Sequence, residues 1–518
     1  MFLHDEAHTT NDFFDGFHIE TVLVALVGGI IFLLAAWAVD QDAVAAGFSA
    51  VVALSPLWLP VALFIAFWKT WIHYIRYAFW FKTPMVLLHI ELPPEVEKSP
   101  LAMELFFVGL WNNGGETTFL HRIWNGQYRA ITTLELVSNE GRISYYIHLR
   151  KSWKNFIEAR LYGQFPEAHV TEVERDYVDE VGYSPETHDL WGTEYAKDDV
   201  EALPLRTYVD WQLDKNPDTP EVSIDPMTNL FEFMTTAGPG EHVWIQIVMK
   251  ARKKDEWYGF YTGDHFVKDA EKKIKQITEG AIERARGLTS DEAEQKKVGS
   301  RGAMLLTGGE KLLVEAIERS LTKQVFDCGF RGMYICKKNK FDITKINNLV
   351  RLWDPFRNQQ GNRMGVTRGM AIFDYPWQDW GGIRRALIRK KMFFWYKHRA
   401  YFYVPYDQVP VCMTTEELAS IWHFPNSSVK TPALERVPSR RSAQPAGRRD
   451  GGPRLICIGT TISPRLPRLL TVSPPGTGGA TRPSALSSTL SRGAASSIYF
   501  LWCFFPRRRG SPRGRISR

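Results

Sequence analysis

Two long uncharged stretches lie near the start of the chain. Residues 21–39, "TVLVALVGGIIFLLAAWAV", carry no charged side chain, and their length is close to the roughly 20 residues that a helix needs to cross the hydrocarbon core of a bilayer. A second uncharged stretch, residues 43–68, follows the acidic link at residues 40–42 and contains Pro56 and Pro60, which a membrane helix tolerates with a kink. The pattern predicts a transmembrane helical hairpin.

The flanking charges predict the orientation of this hairpin. No Lys or Arg precedes Lys69, and the run "KTWIHYIRYAFWFK" then brings Lys69, Arg76 and Lys82 together with several aromatic side chains. Basic residues beside a span stay in the cytoplasm, and Trp and Tyr favour the interface. We therefore expect residues 1–83 to form a membrane anchor of two transmembrane helices and an interfacial helix. The body would then face the cytoplasm at the cell (inner) membrane. The alternatives are a single span with an outside amino terminus and a pair of buried core helices.

Residues 84–180 alternate between strand and helix patterns in the order β-α-β-β-α-β. Ser99 and Pro100 are typical of a helix start, the turn at residues 138–141 is typical of a hairpin, and Ser152 is a predicted cap. This order is that of a ferredoxin-like unit. The predicted strands are residues 86–92, 128–137, 142–150 and 168–174, and the predicted helices are 101–111 and 153–165.

Residues 200–425 predict a second α+β unit of the same plan with a helical insertion. Thr307 and Glu310 have the spacing of a capping box, Asp342 is a predicted cap, and the acidic stretch 172–186 is predicted to be a solvated loop between the two units. The fold class is therefore α+β. The predicted strands are residues 207–211, 242–250, 326–338 and 399–406, and the predicted helices are 227–237, 269–286, 311–321 and 343–356.

Charge is distributed unevenly along the chain. Fifteen arginines against one acidic residue, Asp450, put a net charge of +14 on residues 440–518, so the +7 of the whole chain leaves residues 1–439 at −7. The basic balance therefore does not indicate a nucleic-acid-binding body. Residues 440–518, rich in Arg, Ser and Pro, are predicted to be a disordered tail. The five cysteines form no CxxC pair, which favours a reducing compartment over a disulfide scaffold.

One stretch in this tail resembles a phosphate-binding loop. Residues 473–484 read "SPPGTGGATRPS", whereas a Walker A loop needs G-x-x-x-x-G-K-[ST] because its amides and its Lys hold the phosphates. Ser473 stands at the first glycine position, Gly479 at the Lys position and Ala480 at the hydroxyl position. We reject it as a nucleotide site. The motif search finds no catalytic, cofactor-binding or metal-ligating residue, and the chain as it stands is predicted not to be an enzyme.

A basic and aromatic run near the end of the body allows two interpretations. Residues 383–404, "IRRALIRKKMFFWYKHRAYFYV", could bind nucleic acid by stacking and phosphate contacts. The alternative, which the pattern favours, is an amphipathic element that packs on the sheet.

A family resemblance comes from residues 414–425, "TTEELASIWHFP", and the following "VKTPALERVPSRRSAQP". They resemble the junction in membrane-anchored type IV secretion and conjugation coupling ATPases, the TraG/TraD-like and HerA-like DNA pumps in their long form. Weaker similarities are "SPLAMELFFVGLWNNGGE", "IDPMTNLFEFM" and "GEHVWIQIVMKARKK", so that the resemblance covers residues 84–445. It implies that a P-loop ATPase domain should follow. Here the tail follows instead, and its composition is typical of out-of-frame translation; a natural disordered tail is the alternative.

These observations predict a membrane-anchored accessory or assembly region of a DNA-translocation ATPase, without the motor. The implied partners are the lipid bilayer, other secretion or conjugation components and further copies of the chain. The alternative from another class is a stand-alone scaffold of a membrane complex, and a third is an enzyme whose site has no recognisable motif.

Overall fold

The structure is a computed structural model that describes most of the anchor and the body but not the tail. Most of the first predicted span, all of the predicted tail and the rejected loop at residues 473–484 lie outside the described residues. The described residues are 28, 29, 31, 35, 37–93, 96, 98–112, 118–215, 225–253, 256–257, 260–261, 263–287, 306–369, 379–403, 405–425 and 434–435.

The second apolar stretch forms two consecutive helices, α1 (Gln41–Ala53) and α2 (Ser55–Lys82), joined at Leu54. Within the described residues, α2 is the one helix that is long and apolar enough to cross a membrane, and only Ile72 and Ile75 of it are buried. Its 28 residues correspond to about 42 Å at a rise of 1.5 Å per residue. This helix is compatible with membrane anchoring. The two-span hairpin is not confirmed. Residues 21–39, the first predicted span, lie mostly outside the described residues, and α1, with 13 residues, is too short to cross a membrane.

The C-terminal half of α2 packs on the body. Ile72 and Ile75 are buried against Ile123 of the short helix α4 (Phe119–Ile123), and the indole nitrogen of Trp71 donates a hydrogen bond of 2.8 Å to the carbonyl oxygen of Ile123. The separate interfacial helix expected from Lys69 onward is therefore replaced by the continuation of α2.

A mixed arrangement of helices and one antiparallel sheet forms the body, as the α+β prediction stated. Within the described residues this sheet has nine strands. These strands are β1 Met85–Glu91, β2 Ile131–Asn139, β3 Arg142–Arg150, β4 His169–Glu172, β5 His188–Lys197, β6 Glu241–Ala251, β9 Val325–Lys337, β10 Met364–Gly369 and β13 Val411–Thr414. Two short hairpins, β7–β8 (Glu256–Trp257, Phe260–Tyr261) and β11–β12 (Phe402–Tyr403, Tyr406–Asp407), lie outside this sheet.

The order of the strands divides the sheet into two halves. It runs β10-β5-β9-β6-β2-β3-β1-β4, and β13 pairs with the first residues of β9. Within each half the strands, counted along the chain, follow the order 4-1-3-2, and the second strands of the two halves, β2 and β6, pair with each other. Every one of these pairings is antiparallel. One sheet therefore extends through both halves.

Helices complete each half. The first half carries α3 and α5; the second carries α7 and α10, with α8 and α9 inserted between its second and third strands. These helices are α3 Pro100–Leu110, α5 Lys154–Gln164, α6 Tyr177–Val181, α7 Met227–Thr235, α8 His265–Gly287, α9 Gly308–Thr322, α10 Ile343–Val350, α11 Ile383–Lys397 and α12 Thr415–Ile421.

Two predictions about the second half, and one about the stretch between the two predicted units, were wrong at the level of single elements. Residues 207–211, read as a strand, form turns, and the first strand of this half is β5, which the sequence analysis did not identify. Residues 399–406 form only the β11–β12 hairpin, and β10 takes the fourth position. The acidic stretch 172–186 is not wholly solvated, because Tyr177 and Val178 of α6 are buried.

The predicted helix starts were more accurate than the predicted strands of the second half. The Thr307–Glu310 capping box forms at the start of α9, and Asp342 caps α10. Ser99 occupies the cap position of α3 without a side-chain hydrogen bond, and Trp153, rather than Ser152, is the cap residue of α5.

The two faces of the sheet carry side chains of different polarity. Because side chains alternate between faces along a strand, one cross-strand row is apolar and the next is polar. The apolar row is Leu88, Ile147, Leu134, Ile247, Phe330 and Tyr195. This row belongs to the main hydrophobic core together with buried residues of helices α3, α5, α7, α10 and α12.

The row on the opposite face is polar, and four of its six residues are buried, the exceptions being the half-buried His89 and Tyr146. It runs through His89, Tyr146, Glu135, Gln246, Arg331 and Glu194. Arg399, just after α11, pairs with Glu135 at 2.9 Å and with Asp176, while Arg331 pairs with Glu194 at 3.0 Å. The row thus attaches α6, α11 and the β11–β12 hairpin to the sheet, through ion pairs rather than apolar contact alone.

Candidate functional site

The junction segment at residues 414–425 is the first of three groups of chemically notable side chains. Thr414 and Glu417 form a capping box at the start of α12, and all seven residues of this helix are buried. The Glu417 carboxylate lies 2.7 Å from Lys197 Nζ, and both side chains are 1% exposed. It also accepts a hydrogen bond from the backbone nitrogen of Leu205 at 3.0 Å. Although its sequence is rich in polar residues, α12 is therefore an internal helix, and Glu417 connects it to β5 and to the chain that follows β5.

The neighbouring carboxylate, Glu416, connects α12 to the insertion. It lies 3.1 Å from Arg319 Nη2 and 3.6 Å from Lys323 Nζ, and Lys323 also pairs with Glu104 of α3 at 2.7 Å. Burial raises the pKa of Glu416, although the hydrogen bond from Thr207 and the charges of Arg319 and Lys323 oppose this. Elements from both halves of the sheet thus meet at α12.

The end of the junction segment has two aromatic side chains that pack on the sheet and one buried ion pair. Trp422 and Phe424 pack edge-on against Tyr145 of β3 at 5.4 and 5.2 Å between ring centres. Between them, His423 Nε2 lies 3.1 Å from the Asp225 carboxylate. Burial alone would lower the pKa of His423, but the charge and the hydrogen bond of Asp225 outweigh it and raise the pKa above the usual 6.5.

This raised pKa predicts a pH-dependent stability. A histidine whose pKa is higher when folded contributes stability that is fully present below its unfolded pKa, near 6.5, and that is lost as pH rises through the folded value. We expect the Tm of wild type to exceed that of His423→Gln most below pH 6.5, and this difference to shrink as pH rises. Thermal unfolding of both proteins across this range is the measurement, and a difference that grows with pH would contradict the assignment.

A second group joins Glu201, His265 and Cys412, whose ligand atoms all lie within 4.8 Å of one another. Such a donor set suits Zn²⁺, and no motif spacing marks it in the sequence because the three residues are far apart in the chain. However, Arg252 Nη2 lies 3.2 Å from His265 Nδ1. A guanidinium can only donate, so the ring proton is on Nε2, which lies 2.9 Å from Glu201. We interpret the group as a hydrogen-bonded network, since the nitrogen facing the cluster carries the proton.

The third group surrounds a pocket at the base of α2. The pocket lies between Trp80 near the end of α2, strands β2 and β3, and residues 398–403, and its empty space is about 450 Å³ including the solvent at its mouth. Trp80, Ile131 and Tyr403 form its apolar wall and pack against the buried cluster that contains Val248 and Tyr401. This is the place where the apolar helix meets the body.

Two polar atoms in this pocket have no hydrogen-bond partner among the described residues. They are the hydroxyl oxygen of Thr133 and Nδ1 of His148, and both are shielded from solvent. The two residues face each other across β2 and β3, and Thr133 is fully buried. Burial, together with the charge of Arg399, lowers the pKa of His148 well below its usual value, so the ring is neutral near pH 7. Buried polar groups in folded proteins are normally paired, which makes this pair an exception.

Arg150 supplies the positive charge of the pocket. It lies two residues after His148 on β3, and therefore on the same face. Its Nη2 donates to the carbonyl oxygens of Tyr128 and Arg129 at 2.9 and 3.4 Å, and its guanidinium lies 4.9 Å from the centre of the Tyr128 ring. The aromatic ring is a weak partner for a cation compared with a carboxylate.

The basic and aromatic run at residues 383–404 is divided between two places. Its helix, α11, packs on the sheet through Met392 and Tyr396, as the amphipathic interpretation expected. Its final residues line the pocket. Nucleic-acid binding by this run stays a prediction.

Comparison with known proteins leaves the chain without an assigned family. No protein-family model matches it, no curated protein is significantly similar to it, and no solved structure is significantly similar to it.

Proposed function

We propose that the chain is the membrane-anchored assembly region of a DNA-translocating ATPase of the TraG/TraD-like or HerA-like class. The observation that carries this proposal is the position of α12. The segment that resembles the coupling-ATPase junction is buried at the meeting point of elements from both halves. A junction built in this way would transmit force or position between an anchored body and whatever follows residue 425.

We also infer that each half of the sheet follows the ferredoxin-like plan. The 4-1-3-2 strand order, the antiparallel pairing and the helices that follow the first and third strands support this inference. The two units would then be joined edge to edge through β2 and β6. A continuous sheet of this kind is a rigid platform, which suits an assembly role.

DNA sequencing across the codons for residues 440–518 tests the proposal. An open ATPase reading frame after one corrected base is the expected result, because the composition of the tail indicates out-of-frame translation. A confirmed stop with no motor domain downstream would overturn the proposal in favour of a stand-alone scaffold.

Topology gives an independent prediction. We propose that α2 crosses the membrane with Lys69, Arg76 and Lys82 on the cytoplasmic side, since basic residues are retained there. A cytoplasm-dependent reporter fused after Thr83 should be active, and an export-dependent reporter at the same position should be inactive. Fusions after Asp40, between the two predicted spans, serve as the matched control and should show the reverse. Export-dependent activity after Thr83 would contradict the placement of the body.

A further inference from the structure

We propose that the pocket at the base of α2 binds a phosphate-bearing anion, held by Arg150, Thr133 and His148. This site lies outside the proposed assembly function and does not depend on it. It rests on the chemistry of the residues that line the pocket.

The charges around the pocket favour an anion. The lining contains no carboxylate. Of its two arginines, Arg399 is paired with Glu135 and Asp176 behind the pocket wall, whereas no carboxylate of the described residues lies within ion-pair distance of Arg150. Its partners are the two backbone carbonyls at Nη2 and the Tyr128 and Phe79 side chains, none of which is a carboxylate, and a charged oxyanion would be a stronger hydrogen-bond acceptor for the guanidinium than any of them.

A cationic ligand is disfavoured although aromatic rings surround the pocket. Those rings already face protein cations: the Arg76 guanidinium lies 4.9 Å from the ring centre of Tyr403, and Lys250 Nζ lies 4.6 Å from that of Phe402. Arg150 similarly faces Tyr128. A further positive charge would meet these cations rather than an open π-face.

Thr133 and His148 supply the remaining contacts. A buried hydroxyl or imidazole without a partner destabilises the fold, and an entering phosphate group would remove this cost by accepting hydrogen bonds from both side chains. The Thr133 hydroxyl can rotate to donate, and a neutral His148 donates when its proton is on Nδ1. The two side chains face each other across the strand pair, and Arg150 is one side-chain repeat further along the same face. All three residues therefore lie on one face of the sheet and line the same pocket.

Two sources offer such an anion. Trp80 and Met85 line the pocket where the apolar helix enters the body, so an anionic phospholipid headgroup could reach it from a membrane surface. Free phosphate could enter from solvent. Both have the same phosphate oxygens, and they differ in the acyl chains beside Trp80.

Calorimetric titration of the full chain in neutral detergent distinguishes these sources. The probes are dihexanoyl-phosphatidylglycerol, dihexanoyl-phosphatidylcholine and inorganic phosphate. We expect saturable binding of phosphatidylglycerol or inorganic phosphate, and weaker binding of the zwitterionic phosphatidylcholine. Thr133→Val, which keeps the shape and removes the hydroxyl, and Arg150→Gln should each weaken binding roughly tenfold or more, since each removes a donor to a charged oxygen.

Matched controls separate a local effect from a general one. Thr171→Val on β4 and Arg142→Gln at the start of β3 change the same residue types away from the pocket and should bind like wild type. The Tm of every variant is measured, because Arg150 also holds two backbone carbonyls; Thr133→Val keeps the test decisive if Arg150→Gln fails to fold. Absence of binding for both anionic probes, or equal affinity of folded Thr133→Val and wild type, would overturn the proposal. The topology and sequencing results above are unaffected by either outcome.

Discussion

Replacing Arg399 with methionine should lower the free energy of unfolding by about 3–5 kcal/mol, the usual cost of breaking a buried ion pair from one side. The Arg399 side chain is 6% exposed, and Glu135, its partner at 2.9 Å, is fully buried. Methionine fills part of the space but leaves the Glu135 charge in the interior, where Gln246 and Tyr177 are its remaining hydrogen-bond donors among the described residues. Chemical denaturation of the detergent-solubilised protein is the measurement.

Two further variants show whether the charge, rather than the packing, is responsible. Arg363→Met breaks an exposed pair with Asp198, whose side chains are 53% and 36% exposed, and exposed pairs contribute about 0–1 kcal/mol. The double variant Arg399→Met with Glu135→Gln removes the uncompensated carboxylate and should recover part of the lost stability. If Arg399→Met and Arg363→Met have equal effects, the polar row does not stabilise the attachment of α11.

Glu417→Ala should have an effect of similar size, about 3–5 kcal/mol, because it leaves the Lys197 ammonium buried without its carboxylate. The same substitution removes the capping box of α12 and the acceptor for the backbone nitrogen of Leu205. We expect a reduced unfolding free energy and increased proteolysis within residues 414–425, since this segment is held by these contacts.

The chain provides its own control for this variant. Glu310 occupies the equivalent position in the capping box of α9, but its side chain is 24% exposed and its partner Arg284 is 55% exposed. Glu310→Ala should therefore cost only about 1 kcal/mol, the usual value for the loss of a cap. Equal losses in the two variants would mean that burial of the Glu417–Lys197 pair adds nothing beyond capping.

Local sequence patterns predicted most strands and helices of the first half of the sheet. The strands near residues 86–92, 128–137 and 142–150 and the helices beginning near Pro100 and Lys154 follow from period-two and period-3.6 patterns with turn residues between them. The second half was less accessible. β5, "HDLWGTEYAK", carries charged residues among apolar ones, so its alternation was hidden and the strand was assigned instead to residues 207–211.

The candidate site could not be predicted in the same way. Thr133, His148 and Arg150 are ordinary strand residues in the sequence, with no motif spacing to mark them. They form a pocket only because β2 pairs with β3 in one register and residues 398–403, about 250 positions later, close over them. Glu201, His265 and Cys412 met for the same reason.

The sequence by itself determined the apolar helix before the body, the α+β class and the capping box of α9, because each depends on residues within a few turns of one another. Tertiary structure alone decided which polar side chains are interior. Glu135, Arg331 and Glu417 would each suit a solvated surface, yet cross-strand register and the covering helices bury them. Burial depends on what packs against a residue from a distant part of the chain, and local patterns do not contain that information.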